Sequence, residues 1–272
     1  MRINQEKAWL ARFVTKNKVT LTISDNRYGF GHPAIKSIFI THQLYIKTPF
    51  GSAVEHLLQR LNYNYIEKFT ECWVPDYQGE NSLAGQLSNP DKLPAIPVKY
   101  IDPLTRCYKK ETAIQNELLI LLSGPEPQRT LLENILLQQL KEYHKPVLFV
   151  RGLPGENKPA ESTKARGRAP RQEYSIAPFN QIRFHNHLSS SALNDALNAS
   201  RLIISRSGYS TVMDAMQLNK PCIFIPTPGQ SEQLYLAKHL SNKKKCVFFH
   251  QRTFSLREAL ERAGAAGINV ID

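Results

Sequence analysis

Residues 201–240 read RLIISRSGYSTVMDAMQLNKPCIFIPTPGQSEQLYLAKHL, and this stretch decides the fold. Two short apolar runs, at 202–205 and 222–225, are each followed by turn-forming residues and then by a segment with helical spacing. Buried strands that alternate with helices in this way are typical of a parallel sheet covered by helices. The stretch therefore predicts two consecutive strand–helix units of an α/β domain.

The same alternation extends from residue 115 to the C-terminus and completes a doubly wound domain. Strands are predicted at 118–122, 147–150, 182–184, 202–205, 222–225 and 247–249, and helices at 128–142, 190–198, 210–218, 232–240 and 256–263. The first part of the chain has fewer elements. They are strands at 19–24, 37–41, 72–74 and 98–101 and one helix at 52–68. A proline-rich span precedes residue 110, so we predict domains at 1–110 and 111–272.

The composition is that of a globular protein, with 42% hydrophobic and 21% charged residues among 272. The sequence contains no apolar run long enough for a membrane-spanning helix, and its N-terminus lacks the apolar segment of a signal peptide. We therefore expect a cytoplasmic protein. The four cysteines are widely spaced, which favours reduced, packed thiols over disulfides or metal ligands, and we expect no metal site.

The net charge of +12 indicates an anionic partner. A nucleic acid, an anionic membrane surface and a phosphate-bearing small molecule all fit that charge. The densest basic run, 158–171, contains no aromatic residues on which bases could stack, so we expect a solvated loop and no nucleic acid. Peripheral contact of this loop with an anionic membrane stays open.

The turn after the strand at 202–205 is the strongest candidate for a binding site. Ser207 and Gly208 permit a sharp reversal of the backbone, and Ser210 and Thr211 then supply hydroxyls and free N–H groups at the start of a helix. Such a helix N-terminus can hold a diphosphate, because its dipole and its unpaired N–H groups both favour an anion. Arg206 would add a cation at the same place.

Three further polar residues in this region each have two interpretations. Asp214, expected on the first helical turn, either accepts hydrogen bonds from the two hydroxyls of a ribose or only offsets the helix dipole. Glu232 and Gln233 either bond sugar hydroxyls at the carboxyl edge of the sheet or belong to a helix cap that follows Ser231.

Polar turns also follow three other predicted strands. In the turn 123–129, Ser123 and Gly124 are small and permissive, and Arg129 could reach an anion. In the first domain, Asp25 and His42 each follow a strand, where they serve either as acid–base groups or as ordinary hydrogen-bonding residues.

The stretch RSGYSTVMDAMQLNKPCIFIPTPGQSEQ resembles the C-terminal domain of family-28 glycosyltransferases, which include peptidoglycan lipid-linked N-acetylglucosaminyltransferases. The segments ISDNRYGFGH and IFITHQL also look like members of the same superfamily. The resemblance implies a GT-B fold of two Rossmann-like domains, of which we expect the N-terminal one to be incomplete. It also implies that the C-terminal domain holds a nucleotide-sugar, which is a substrate, and that no cofactor or metal is needed.

Carried over to this chain, the resemblance places Ser207, Gly208 and Thr211 at the diphosphate with Arg206 nearby, Asp214 at the ribose and Gln233 at the sugar. The implied activity is a metal-independent hexosyl transfer from a UDP-sugar to an unidentified acceptor, which in related enzymes is lipid-linked. The alternative is a truncated remnant that binds the nucleotide-sugar without transferring it.

Overall fold

The structure is a computed structural model that describes residues 3–153 and 181–267. The basic run at 158–171 lies outside the described residues. The chain divides into two compact units, Met1–Leu104 and Thr105–Asp272. Within the described ranges, no helix is both long and apolar enough to cross a membrane.

The first unit is built on a parallel sheet with the strand order β1-β2-β3-β4. Its elements are α1 (Ile3–Asn17), β1 (Leu21–Asp25), β2 (Lys36–Ile40), α2 (Ser52–Ile66), β3 (Glu71–Val74) and β4 (Val98–Tyr100), with 3-10 turns at Tyr28–Phe30, Gly79–Asn81 and Gly85–Leu87. Aromatic and aliphatic side chains from β2, α2 and β3 form its core, including Phe39, Ile66 and Val74. The predicted strands and the predicted helix of this unit are confirmed.

Helix α1 was not expected from the sequence. It buries Leu10 and Val14, which are four residues apart and therefore lie on one helical face. Trp9 and Phe13 stack on each other but remain about two-fifths exposed, with 43% and 42% of their surface accessible. These four apolar residues lie on one side of α1 at helical spacing, so the sequence carries the stripe of an amphipathic helix here although we predicted no element.

In its described residues, the second unit contains the six-stranded parallel sheet that the sequence predicted, in the order β10-β9-β8-β5-β6-β7. Its strands are β5 (Asn116–Leu121), β6 (Val147–Val150), β7 (Ile182–His185), β8 (Ser200–Ser205), β9 (Cys222–Phe224) and β10 (Val247–Phe248). Its helices are α3 (Gln128–Leu140), α4 (Ser190–Asn198), α5 (Tyr209–Gln217), α6 (Ser231–Asn242) and α7 (Leu256–Ala265), with a 3-10 turn at Gln251–Thr253.

Apolar residues of the strands face the helices of this unit and form a continuous core. Ile120, Phe149, Ile204 and Ile223 are fully buried, one from each of four neighbouring strands. Strands that are buried on both faces appear in the sequence as continuous apolar runs rather than as alternating patterns. The positions of these strands could therefore be predicted from the sequence.

All four cysteines are free and buried, as the sequence predicted. Burial raises the pKa of Cys72 and of Cys246 to about 12. The thiols are therefore protonated side chains of the core at neutral pH.

The two units meet in sequence between Leu104 and Thr105, whereas the predicted domain boundary followed residue 110. The intervening segment belongs with the second unit because its backbone is bonded to α4. The N–H of Tyr108 donates to Asn194 Oδ1 at 2.9 Å, and the N–H of Lys110 donates to Asn198 Oδ1 at 2.9 Å.

Candidate functional site

The site lies at the carboxyl edge of the second sheet, where the strand order reverses. Strand β5 is central, with β6 and β7 on one side and β8 to β10 on the other. In such sheets the loops on either side of the reversal separate and leave a crevice in which ligands bind. Here Leu121 of β5 pairs with Ser205 of β8, and Ser205 pairs in turn with Phe224 of β9. The loops after these three strands therefore share one edge.

Two of these loops approach each other closely. Gly124 has a φ of +99°, and a Cβ placed on it would lie 3.6 Å from the hydroxyl oxygen of Thr227. That hydroxyl is buried and has no hydrogen-bond partner among residues 3–153 and 181–267. Glycine at position 124 thus keeps open the space in front of a buried polar group. Ser123, beside it, is exposed.

The start of α5 has the open N-terminus that the sequence predicted. Gly208 occupies the N-cap position, and no side chain caps the helix there. A Cβ on Gly208 would meet nothing within 4 Å, Ser210 is exposed, and Thr211 is partly buried. The N–H groups of a first helical turn have no partner inside the helix. Among the residues that the structure describes, no side chain fills the space where a Cβ of residue 208 would stand, so an anion can approach these N–H groups there.

Ser207 has a different environment from the one expected of a phosphate ligand. Its side chain is fully buried, and its hydroxyl donates to the carbonyl oxygen of Gln233 at 2.7 Å. This bond joins the turn before α5 to the first turn of α6. In the described structure Ser207 therefore connects these two turns, and its hydroxyl is occupied by the protein.

Arg206 is not the exposed cation that the sequence suggested, because its side chain is fully buried. Nη1 donates to the carbonyl oxygens of Ile225 and Pro226 at 3.0 and 3.2 Å. Nη2 donates to the carbonyl oxygen of Gln128 at 2.8 Å and to Gln251 Oε1 at 2.6 Å. Burial lowers the pKa of Arg206 to about 10, so it stays charged at neutral pH. Arg206 thus connects three loops beneath the site.

Arg129, also expected to reach an anion, is occupied by carboxylates of its own helix region. Its Nε donates to Glu126 at 2.6 Å and its Nη1 to Glu133 at 2.6 Å. Burial alone lowers the pKa of Arg129, but the bonds to Glu133 and Glu126 outweigh it and raise the pKa. A guanidinium paired with two carboxylates inside the protein offers little charge to a ligand.

Asp214 lies further into its helix than predicted. Helix α5 begins at Tyr209, so Asp214 is its sixth residue and belongs to the second turn, and the first turn contains no acidic residue. The effect of the helix dipole on a side chain is confined to the first turn, so the simple dipole interpretation no longer applies. The carboxylate is 8% exposed and accepts a hydrogen bond from Thr105 Oγ1 at 2.6 Å.

Gln233 shapes the loop after β9 from the first turn of α6. Its Oε1 accepts from the N–H of Thr227 at 2.8 Å, and its Nε2 donates to Gln230 Oε1. Gln230 is the N-cap residue of α6 and makes no capping bond through its side chain, so the expected cap at Ser231 is absent. Glu232 is partly exposed in the same turn.

One comparison decides the family of this domain. The model of the glycosyltransferase family 28 C-terminal domain matches residues 118–267, which is more than half of the chain. The chain belongs to this family. No curated protein matches the chain.

Solved structures of glycosyltransferases share the fold of this family-28 chain. MurG of Acinetobacter baumannii is 17% identical, with a TM-score of 0.58 over 98% of this chain and 70% of that one. The glycosyltransferase of kitacinnamycin is 12% identical, with a TM-score of 0.62 over 98% and 74%. VinC, solved in complex with dTDP, is 11% identical, with a TM-score of 0.56 over 97% and 67%. At these identities the likeness establishes the GT-B fold, as predicted, and the family match identifies a glycosyltransferase.

In the first unit of this glycosyltransferase, the two predicted acid–base residues lie at the carboxyl edge of the sheet. Asp25 ends β1 and is exposed, and Asn26 Nδ2 donates to its carboxylate at 3.3 Å. Its partner in the sheet is Ile40, the last residue of β2, and partly buried His42 follows two positions later. The neighbouring strands thus bring Asp25 and the turn that contains His42 to the same edge.

Sequence reasoning missed the polar residues that organise the loops of both units. The clearest is Asp76, whose fully buried carboxylate accepts bonds from the hydroxyls of Ser82 and Ser88 and from the N–H groups of Leu83 and Ala84. In the second unit, Thr105 and Gln251 act in the same way on Asp214 and Arg206. Thr105 and Gln251 have a weak sequence signal because their partners are 109 and 45 residues away. The partners of Asp76 lie within 12 residues of it but form no recognisable motif.

Proposed function

We propose that this glycosyltransferase transfers a sugar from a nucleotide-diphospho-sugar, with UDP as the nucleotide, to a hydroxyl of an acceptor. The observation that supports this most directly is the open N-terminus of α5 at the strand-order reversal, where Gly208 leaves the first-turn N–H groups accessible. A diphosphate placed there has both the dipole and the hydrogen-bond donors that stabilise its charge.

The same groups would stabilise the departing UDP in the transition state. As the glycosidic bond breaks, negative charge develops on the diphosphate, and fixed N–H groups with a buried cation beneath them lower its energy. Arg206 supplies that cation without contacting the ligand, since its hydrogen bonds are all made to the protein. We propose that transfer of the hexosyl group is metal-independent for this reason.

The remaining predicted residues divide into contacts and supports. We assign Asp214 to the ribose hydroxyls, Glu232 to the sugar, and Ser210, Thr211, Ser123 and Gly124 to the rim of the diphosphate site. Gln233 acts as a support, because its amide holds the N–H of Thr227. Arg129 likewise stabilises the start of α3 through Glu126 and Glu133.

We assign the acceptor to the first unit, with Asp25 and His42 as the candidate groups that take the proton from the acceptor hydroxyl. Both lie at the carboxyl edge of the sheet, which is the usual place for catalytic residues in parallel sheets. If either is the base, His42→Gln or Asp25→Asn will lower kcat of transfer by about a hundredfold while leaving UDP affinity unchanged. Loss of UDP affinity in either variant would argue against this assignment.

The decisive experiment is calorimetric titration with UDP, followed by an assay of sugar release from UDP-glucose, UDP-galactose and UDP-N-acetylglucosamine. We expect UDP binding, preference for one of the three sugars, and no change on adding EDTA. AMP, which lacks both the diphosphate and the uracil, is the matched control ligand. Failure to bind UDP would overturn the proposal, and binding with no transfer to any hydroxyl acceptor would favour the binding-only alternative.

We further propose that the acceptor is lipid-linked and that the protein contacts anionic membranes from one side. The net charge of +12 supports the membrane contact. Helix α1 also exposes Trp9 and Phe13 together with Arg12 and Lys16, a combination typical of helices that lie on anionic membranes. Co-sedimentation with phosphatidylglycerol vesicles but not with phosphatidylcholine vesicles is the expected result. Equal binding to both, or to neither, would contradict it.

A further inference from the structure

Residues 105–110, which we call the strap, run along the second unit and are bonded to α4 and α5. The side chain of Asn198 donates to the carbonyl oxygen of Tyr108 at 3.1 Å and accepts from the N–H of Lys110 at 2.9 Å. Lys110 Nζ forms an ion pair with Asp195 at 2.5 Å. The strap is therefore held at several points in a defined register on these helices.

At its first residue the strap meets Asp214. Thr105 Oγ1 lies 2.6 Å from Asp214 Oδ1 and 3.0 Å from the backbone nitrogen of Cys107. The N–H of Cys107 can only donate, so the threonine oxygen accepts from it and directs its own proton to the carboxylate. A hydroxyl bonded to a carboxylate on one side and to an N–H on the other has a single orientation.

This bond leaves the two oxygens of Asp214 in different situations. Oδ1 accepts from Thr105, whereas Oδ2 has Arg106 Nε at 3.8 Å, which is beyond ordinary hydrogen-bond distance. The thiol of Cys107 also interacts with this carboxylate. Because the Asp214 side chain is only 8% exposed, a ligand can approach its carboxylate from few directions. The short bond from Thr105 to Oδ1 therefore contributes to the direction in which Oδ2 accepts.

We propose that Thr105 is a positioning residue that orients the Asp214 carboxylate to accept hydrogen bonds from the ribose of the nucleotide. This inference rests on the proposed function, since it requires a nucleotide on α5. Thr105 does not touch the ligand. It removes the rotational freedom of the carboxylate before binding, so that less entropy is lost when the ribose is bound.

The test compares Thr105→Val, which keeps the shape of the side chain and removes the hydroxyl, with Thr105→Ser, which keeps the hydroxyl. Each protein is titrated with UDP and with 2′,3′-dideoxyuridine diphosphate, which lacks the ribose hydroxyls. We expect Thr105→Val to bind UDP about tenfold more weakly than wild type and to bind the dideoxy compound with unchanged affinity. Thr105→Ser should retain the wild-type preference for UDP. Thermal unfolding of each variant checks that the fold is intact.

Three outcomes would overturn the inference. Tighter UDP binding by Thr105→Val would mean that Thr105 competes with the ribose, and unchanged binding would mean that it has no role. An equal loss of affinity for both compounds, not restored in Thr105→Ser, would identify a general structural role. If the wild-type protein itself binds neither compound, the proposed function fails first and the inference fails with it.

Discussion

Arg206 Nη2 and Gln251 Oε1 lie 2.6 Å apart in the interior of the second unit, although 45 residues separate them in the sequence. The same guanidinium holds the carbonyl oxygens of Ile225, Pro226 and Gln128. In the described part of the chain, no carboxylate forms an ion pair with Arg206. A buried cation is thus stabilised by carbonyl and amide oxygens alone, directly below the loops of the candidate site.

Replacing Arg206 with Met should destabilise the protein by about 2–4 kcal/mol, because three buried carbonyl oxygens lose their hydrogen-bond donor. Arg252 is an exposed arginine in the neighbouring 3-10 turn. As the control, Arg252→Met should change the free energy of unfolding by less than about 0.5 kcal/mol. Urea unfolding measures both. An unaltered free energy of unfolding in Arg206→Met would show that the hydrogen bonds of Arg206 do not stabilise these loops.

Asp214→Ala should weaken UDP binding by about tenfold or more, because the ribose loses its carboxylate acceptor. Asp195→Ala is the matched control: Asp195 lies on the neighbouring helix α4 and forms an ion pair with the strap, but it is 56% exposed. Calorimetric titration with UDP compares the two variants. Equal losses of affinity would count against a ribose site at Asp214.

Gly208→Ser should separate helix stability from anion binding. Serine is at least as good an N-cap residue as glycine, and the position has room for a side chain, so stability should be retained. The new hydroxyl will accept from the first-turn N–H groups that we assign to the diphosphate, so UDP affinity should fall about tenfold. Ser189→Gly, which removes the cap of α4, is the control for a cap change elsewhere. Retained UDP affinity in Gly208→Ser would place the diphosphate away from α5.

The stability of the first unit should depend on acid pH through Glu71. Hydrogen bonds from Lys36, Trp73 and Lys99 lower the pKa of this carboxyl to about 2. A lowered pKa in the folded state stabilises the protein above the carboxyl's unfolded pKa, and this contribution is lost as the pH falls toward 2. Glu71→Gln should therefore flatten the loss of stability between pH 4.5 and 2, measured by urea unfolding. Asp91 is an exposed carboxylate in the same unit, and Asp91→Asn is the control for removing a surface negative charge.

The central strands of the second sheet could be predicted because they are buried on both faces. The runs around Ile204 and Ile223 are continuous and apolar, and each ends at a turn, so local sequence was sufficient to locate β8 and β9. Helix α1 was missed although Leu10, Phe13 and Val14 follow helical spacing, so its apolar stripe was available in the sequence.

The candidate site divides in the same way. A glycine before a helix is visible in the sequence, and Gly208 does lie at the open start of α5. The roles of charged residues are not visible there, because a side chain's partner is set by tertiary contacts. Arg206 and Arg129 were both expected to face an anion, and each is instead bound within the protein.

The order of strands and helices in the second unit and the location of the turn at 206–208 followed from local composition and spacing in the sequence. The family was indicated by the resemblance of residues 206–233 to family-28 glycosyltransferases. Only the tertiary structure decided which polar atoms of that region are occupied. The hydroxyl of Thr105 reaches the carboxylate of Asp214 across 109 residues of chain, and no local pattern encodes such a pair. Hydrogen bonds between buried groups depend on where the packed elements place them, so they emerge only when the core has formed.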